Sequence, residues 1–325
     1  MRSPYSARGA TGALFFLGVV LCITGCGMFN PNLNYRALPV AQRQAAVQAV
    51  PFFAQERYQC GPAGLAMLLN WSGVEADAAD LVPLVFTPDK KGSLQPALVA
   101  AARQHGRLAY AFNGVDPLLK ELAAGYPVIV LQNLGLKWIP KWHYAVVLGY
   151  DLENGHVTLH SGTTANKTTD WRVFIRTWKR GQYWGLLALP PGELPASASQ
   201  ESYLKSVLGL EQVSNWDGAA RAYEAALVKW ENSLGALMGL GNSRFAAGDK
   251  DGAETAFRSA AQSFPENTAV LNNLAYVLAK QGKFEDALDI IRRAGDIGGP
   301  LAPVVRQTHD EILVMMKSNP EAAGP

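Results

Sequence analysis

Gln55-Glu56-Arg57-Tyr58-Gln59-Cys60-Gly61-Pro62-Ala63-Gly64-Leu65-Ala66-Met67-Leu68-Leu69 is the stretch from which the fold of the N-terminal half is read. Pro62 suits the first turn of a helix, where a missing N–H costs nothing, and the residues after it are good helix formers. Cys60 then stands at the helix N-terminus. Unpaired backbone N–H groups and the positive end of the helix dipole favour the thiolate there, which is the nucleophilic form of cysteine. Gln55, just upstream, carries an amide that can donate to a developing oxyanion. The same residues also suit a small buried thiol at the start of an apolar helix, so partners elsewhere in the chain must distinguish the two.

The chain has three cysteines, Cys22, Cys26 and Cys60. The first two fall in a segment that reads as an export signal. Arg2 and Arg8 form its positive start, Ala13 to Ile23 its apolar run, and Thr24 and Gly25 its small-residue end. That run is shorter than the ~20 apolar residues a membrane-spanning helix needs. Ile23-Thr24-Gly25-Cys26 resembles a bacterial lipobox, which implies cleavage before Cys26 and acylation of its thiol. Gly27 follows, not the Asp that such signals use for inner-membrane retention, so the resemblance implies the periplasmic face of an outer membrane. Residues 1–25 are therefore expected to be a lipoprotein signal peptide and residues 26–50 a lipidated tether. Cys60 is left without a cysteine to pair with inside the mature chain.

Over 325 residues, 49% hydrophobic and 17% charged, the composition is globular and excludes general disorder and a polytopic membrane protein. The length corresponds to roughly two domains at about 150 residues each. Lys and Arg number 29 against 27 Asp and Glu, and removing Arg2 and Arg8 with the signal leaves 27 against 27. Binding a phosphate backbone needs a basic surplus, so no nucleic-acid partner is expected.

A nucleophilic thiol needs a base, and the candidates are His105, His143, His156, His160 and His309. His143 opens His143-Tyr144-Ala145-Val146-Val147-Leu148-Gly149-Tyr150, a β-rich run; a turn at Asp151 to Gly155 and a second strand, Val157 to His160, follow. Pairing Tyr150 near Gly155 sets Val146 opposite Leu159, Leu148 opposite Val157 and Ala145 opposite His160. His143 and His160 would then share one face of a hairpin. Cys60, His143, His156 and His160 do not suit zinc, because His156 and His160 are spaced along a strand and not on one helix face. No metal or other cofactor is expected.

Gln55, four residues, then Cys60-Gly61-Pro62, and later His143-Tyr144-Ala145-Val146-Val147-Leu148-Gly149-Tyr150-Asp151 resemble the bacteriocin-leader (double-glycine) peptidase-like group of papain-fold cysteine peptidases. The resemblance spans residues 51–190 and implies an α+β papain-like cysteine peptidase domain. It makes Cys60 the nucleophile, His143 the general base and later acid, and Gln55 the oxyanion donor. The family places an Asp at the end of the strand after the histidine, to orient the imidazole. Here that position reads His160-Ser161, and His160 is taken as the orienting residue. Asp151 is no substitute, since it lies about 25 Å along the strand from His143 at 3.3 Å per residue.

The chain between Cys60 and His143 reads as a helix after Asp77, a loop at Lys90-Lys91-Gly92 and a helix from Ser93 through Ala102. A strand at Leu108 to Phe112, a helix capped by Asp116-Pro117 and a strand at Pro127 to Gln132 follow. Trp138, Trp142, Trp171, Trp178 and Trp184 are expected to serve packing, with a peptide groove as the alternative. Pro190 to Ser199 reads as a boundary, with residues 191–199 a linker. Beyond it Ala219, Ala253 and Ala287 stand 34 apart, as do Tyr223, Phe257 and Ile291, and Ala226, Ala260 and Ala294. This period resembles the tetratricopeptide repeat and implies an all-α array over residues 200–317, with residues 302–317 a capping helix.

The chain is therefore expected to be a lipid-anchored extracytoplasmic cysteine peptidase acting on a protein or peptide substrate. Its repeats would dock a protein partner, and its N-terminal lipid a membrane. A cell-wall peptide hydrolase and a non-catalytic peptide-binding lipoprotein are the alternatives.

Overall fold

The computed structural model describes residues 30–55 and 58–318. The expected signal peptide, the lipidation residue Cys26 and the first residues of the tether lie outside them. The N-terminal half runs β1 (Gln44–Ala46), α1 (Cys60–Trp71), α2 (Ala78–Val85), β2 (Phe86–Thr87), β3 (Gly92–Ser93) and α3 (Gln95–Gln104). Next come β4 (Leu108–Asn113), α4 (Val115–Ala123), β5 (Val128–Asn133), β6 (Trp142–Asp151) and β7 (His156–Ser161). β8 (Thr164–Asp170), α5 (Trp171–Lys179) and β9 (Trp184–Leu189) complete it. Seven helices follow: α6 (Gln200–Glu211), α7 (Trp216–Lys229), α8 (Leu234–Ala246), α9 (Lys250–Ser263), α10 (Thr268–Lys280), α11 (Phe284–Ile297) and α12 (Ala302–Ser318). This is the expected class, an α+β papain-like domain followed by an all-α array. Among the described residues no helix is long and apolar enough to cross a membrane.

Most of the expected elements form where the pattern placed them, with local chemistry fixing their ends. Asp77 caps α2 by accepting the Ala79 N–H at 2.9 Å. α4 differs: Gly114 takes the cap position at φ 124°, and Asp116 inside the helix pairs with Lys120 at 2.8 Å. The antiparallel sheet has the order β4-β9-β5-β6-β7-β8, with β1 added to β6. Alternate residues of β6 serve two cores, as the pleat requires. Tyr144, Val146 and Leu148 pack with Leu65, Leu68, Leu81 and Leu98 of the α1–α3 layer. Ala145 and Val147 belong to the core on the other face, together with Leu118 and Leu122 of α4 and Trp171, Phe174 and Trp178 of α5.

The hairpin register departs from the expectation. Asp151 pairs with His156, and its carboxylate accepts the Glu153 and Asn154 N–H groups, both at 2.9 Å, so the turn starts one residue later than expected. A bulge between Val147 and Gly149 then shifts the pairing again, and Val147 meets Leu159 while Val146 meets His160. Cross-strand partners share a face, so His160 lies on the face opposite to His143, and Ser161 comes round to the His143 side.

The segment expected to be a tether is folded onto the domain from residue 32 onward. β1 pairs Gln44 with Asp151 and Ala46 with Gly149, and Arg43 donates to the Tyr35 and Leu152 carbonyls, both at 3.1 Å. The expected linker is likewise ordered. Glu121 of α4, fully buried, accepts the Ala196 N–H at 2.9 Å and the Ser197 N–H at 2.8 Å. Tyr203, Val207 and Leu210 of α6 share one core cluster with Leu108, Tyr110 and Leu187 of the sheet.

In the array the N-caps Ser199, Ser233 and Asn267 recur at the 34-residue period, and each side chain accepts a backbone N–H of the helix it starts. The repeating Ala219, Ala253 and Ala287 are buried on α7, α9 and α11, as are Tyr223, Phe257 and Ile291. Gly241 explains the close approach: a Cβ there would lie 2.6 Å from the Phe257 ring. α12 covers the last repeat through Val305 and Ile312, as expected of a cap.

Candidate active site

Cys60 is the first residue of α1, half-buried, at one wall of a cavity of about 1040 Å³ that Gln55, His143, Tyr144 and Ser161 also line. Gly61 lets the helix start against β3, since a Cβ there would lie 2.3 Å from the Ser93 Oγ. Burial pushes the Cys60 thiol above its ordinary range, while backbone hydrogen bonds from Tyr144, Gly61 and Cys60 itself oppose the rise. The helix N-terminus was expected to lower the thiol, but desolvation outweighs its N–H groups.

Gln55 is held by three bonds. Its backbone N–H donates to the Gly162 carbonyl and its Oε1 accepts the Gly162 N–H, both at 3.0 Å. Its Nε2 donates to the Tyr144 carbonyl at 3.3 Å, which uses one of two amide hydrogens. Tyr144 thus ties Gln55 by its carbonyl and Cys60 by its backbone hydrogen bond to the strand that carries His143.

His143 Nε2 lies 2.8 Å from Ser161 Oγ, which leaves Nδ1 as the second ring nitrogen for chemistry. Burial first, then the positive charges of Lys167 and Lys141, push the imidazole down to about 4. Cys60 and His143 therefore rest as neutral thiol and neutral imidazole. Among the described residues no hydrogen bond joins their side chains.

His160 does not orient His143. Its Nε2 lies 3.2 Å from the Val50 carbonyl, its Nδ1 accepts the Asn166 N–H at 3.1 Å, and its ring lies 5.1 Å from that of Phe52. Both nitrogens are engaged on the other face of the sheet, a direct result of the one-residue change in register. Ser161 holds the position instead. The sequence names it only as the neighbour of His160, because the exchange of faces comes from the bulge between Val147 and Gly149, which the strand pattern does not announce. Of these five tryptophans, Trp171, Trp178 and Trp184 are packed in cores, whereas Trp142, the first residue of β6, is 52% exposed and Trp138, on the loop between β5 and β6, is 76% exposed.

A sequence model of the Peptidase_C39 like family matches residues 47–184. The tetratricopeptide repeat matches residues 204–267 and 238–300. An uncharacterised protein of Methanothermobacter thermautotrophicus is 33% identical over 119 residues, which are 37% of this chain and 75% of that protein. Similar solved structures include a C39-like peptidase from Bacillus anthracis, at TM-score 0.39 and 17% identity over 46% of this chain and 98% of that one. The peptidase domain of Streptococcus ComA gives TM-score 0.35 and 21% identity over 46% and 99%.

Proposed function

The chain belongs to the Peptidase_C39 like family and carries tetratricopeptide repeats behind that domain, and from this we propose that it hydrolyses peptide bonds through the Cys60 thiol. The observation that carries the reading is the convergence at β6: Tyr144 holds Cys60 and Gln55 beside His143, whose ring is fixed by Ser161. His143 Nδ1 takes the Cys60 proton as Sγ attacks the peptide carbonyl, and the oxyanion that forms is met by the second Gln55 amide hydrogen. His143 then gives the proton to the leaving amine. Water, deprotonated by the same imidazole, cleaves the thioester and restores the thiol.

Because the imidazole stays neutral down to about pH 4, kcat/KM on a mixed peptide library is expected to rise through about 4 and hold across neutral pH. Ser161→Asp adds the charge that favours imidazolium, so the acid limb is expected to move up toward the ordinary histidine value of about 6.5. A limb that stays in place in Ser161→Asp would remove Ser161 from the site, and no turnover at any pH would remove the peptidase.

One observation favours a second reading, a peptide-binding domain without turnover: His143 has a hydroxyl partner in place of a carboxylate, so nothing neutralises the imidazolium that attack creates. The same proposal places the protein in the cell envelope by a lipid on Cys26 and assigns protein docking to the repeats. Cys26→Ser is expected to move the protein from membrane pellet to soluble fraction after export. Retention in the pellet would defeat the lipid anchor.

A further inference from the structure

The cavity that holds Cys60 is strongly one-sided in charge. Lys90, Lys91, Lys141, Lys167 and Arg180 line it, and no Asp or Glu does among the described residues. The whole chain has 29 basic against 27 acidic residues, so this is a local concentration and not a reflection of composition. Among the described residues none of the five pairs with a carboxylate. Arg180 donates to the Asn133 carbonyl at 3.1 Å and the Gly135 carbonyl at 2.6 Å, which fixes its place but leaves its charge uncompensated.

The four lysines form two groups. Lys90 and Lys91 precede β3, whose Ser93 lies against Gly61 at the start of α1. Lys141 precedes β6, and Lys167 stands on β8 opposite Leu159 of β7. These two lie close enough to His143 for their charges to depress its proton affinity. A chain crossing the site from Cys60 to His143 would pass between positive groups on both sides.

We propose that the cleft selects peptides carrying Asp or Glu on both sides of the bond presented to Cys60. Like charges in one concave cleft reinforce one another and attract opposite charge far more than isolated surface residues do. Leu131, Leu134 and Trp142 supply an apolar wall for the intervening side chains. The cations line a cavity, which an extended peptide enters and a lipid surface does not. This assignment rests on the reading of the cavity as a peptide site.

The test uses full-length protein carrying Cys60→Ala, so that binding is read without turnover. A fluorescein-labelled peptide of alternating Glu and Ala is compared with its Gln and Ala counterpart by anisotropy. The acidic peptide is expected to bind about tenfold tighter or more at low salt, with the ratio falling as salt screens the cleft. Lys141→Gln with Lys167→Gln is expected to remove roughly threefold or more of that preference without changing the affinity for the Gln peptide. Equal affinity for the two peptides, or no binding of the acidic one, overturns the proposal. So does a protein that sediments with phosphatidylglycerol vesicles through Trp138 and shows no peptide preference. Turnover of acidic and neutral peptides at equal rates by the unmodified protein would sink the selection and keep the peptidase. Tight binding of the acidic peptide with no turnover would do the reverse.

Discussion

Cys60→Ala and His143→Ala are each expected to lower kcat/KM for peptide hydrolysis by on the order of 10^4-fold, and the double variant by little more than either alone. The thiol and the imidazole act in one step, so removing either leaves the other without a task. Both residues line the same cavity and neither occupies the centre of a core, so melting temperature is expected to change little, within about 1 kcal/mol of stability. His160→Ala is expected to behave in the opposite way. Its ring is 2% exposed, and its bonds run to Val50 and Asn166, so its loss should lower the melting temperature while kcat per folded molecule holds. Rates and melts on the same preparations decide the matter. A Cys60→Ala protein that keeps hydrolysis within about tenfold of the parent, or a His160→Ala protein that folds normally and turns over nothing, would refute the assignment.

Deleting residues 200–325 is expected to unfold or aggregate the remaining domain, although the composition of residues 191–199 reads as a boundary between independent units. Tyr203, Val207 and Leu210 are each 0% exposed in the cluster that Leu108, Tyr110 and Leu187 also form. Burying three such side chains contributes about 5–9 kcal/mol, which is comparable with the whole stability of a domain, about 5–15 kcal/mol. Polar joints act with it. Tyr110 Oη lies 3.2 Å from Ser202 Oγ, and Arg103 donates to Gln212 at 3.1 Å. Calorimetry of the truncated chain, with an apolar dye to report exposed core, tests this. A soluble truncated domain with an unchanged melting temperature would show that the sheet face is stable uncovered.

Much of the candidate site was legible because it is written in short segments. Cys60 heads its helix because Gly61, Pro62 and the apolar run behind them say so locally, and His143 opens its strand for the same kind of reason. Gln55 was legible as an amide close upstream of Cys60, and the family resemblance assigned its role. Its cavity-facing amide depends on a turn at Gly162 more than a hundred residues away. Ser161 was obscured by its neighbour, since nothing in the strand itself reports the bulge between Val147 and Gly149. β8 is not legible in the sequence because the Thr164–Asp170 strand is almost wholly exposed and has no apolar alternation to announce it.

What the sequence determined by itself is periodic or terminal. The 34-residue spacing sets the helices α6 to α11 and their caps, and the pattern around Cys60 and His143 sets the elements that bear them. These depend on interactions within a few residues, where backbone geometry and side-chain alternation act alone. The tertiary structure decided register, contact and charge state. Whether His160 or Ser161 meets His143 turned on one bulge, because a step of one residue exchanges the faces of a strand. Whether residues 191–199 separate two domains turned on Glu121, a residue of α4 whose partners lie 75 and 76 positions away. And the thiol and imidazole took the neutral forms because desolvation, which only a packed chain imposes, outweighed the helix N-terminus that the sequence could show.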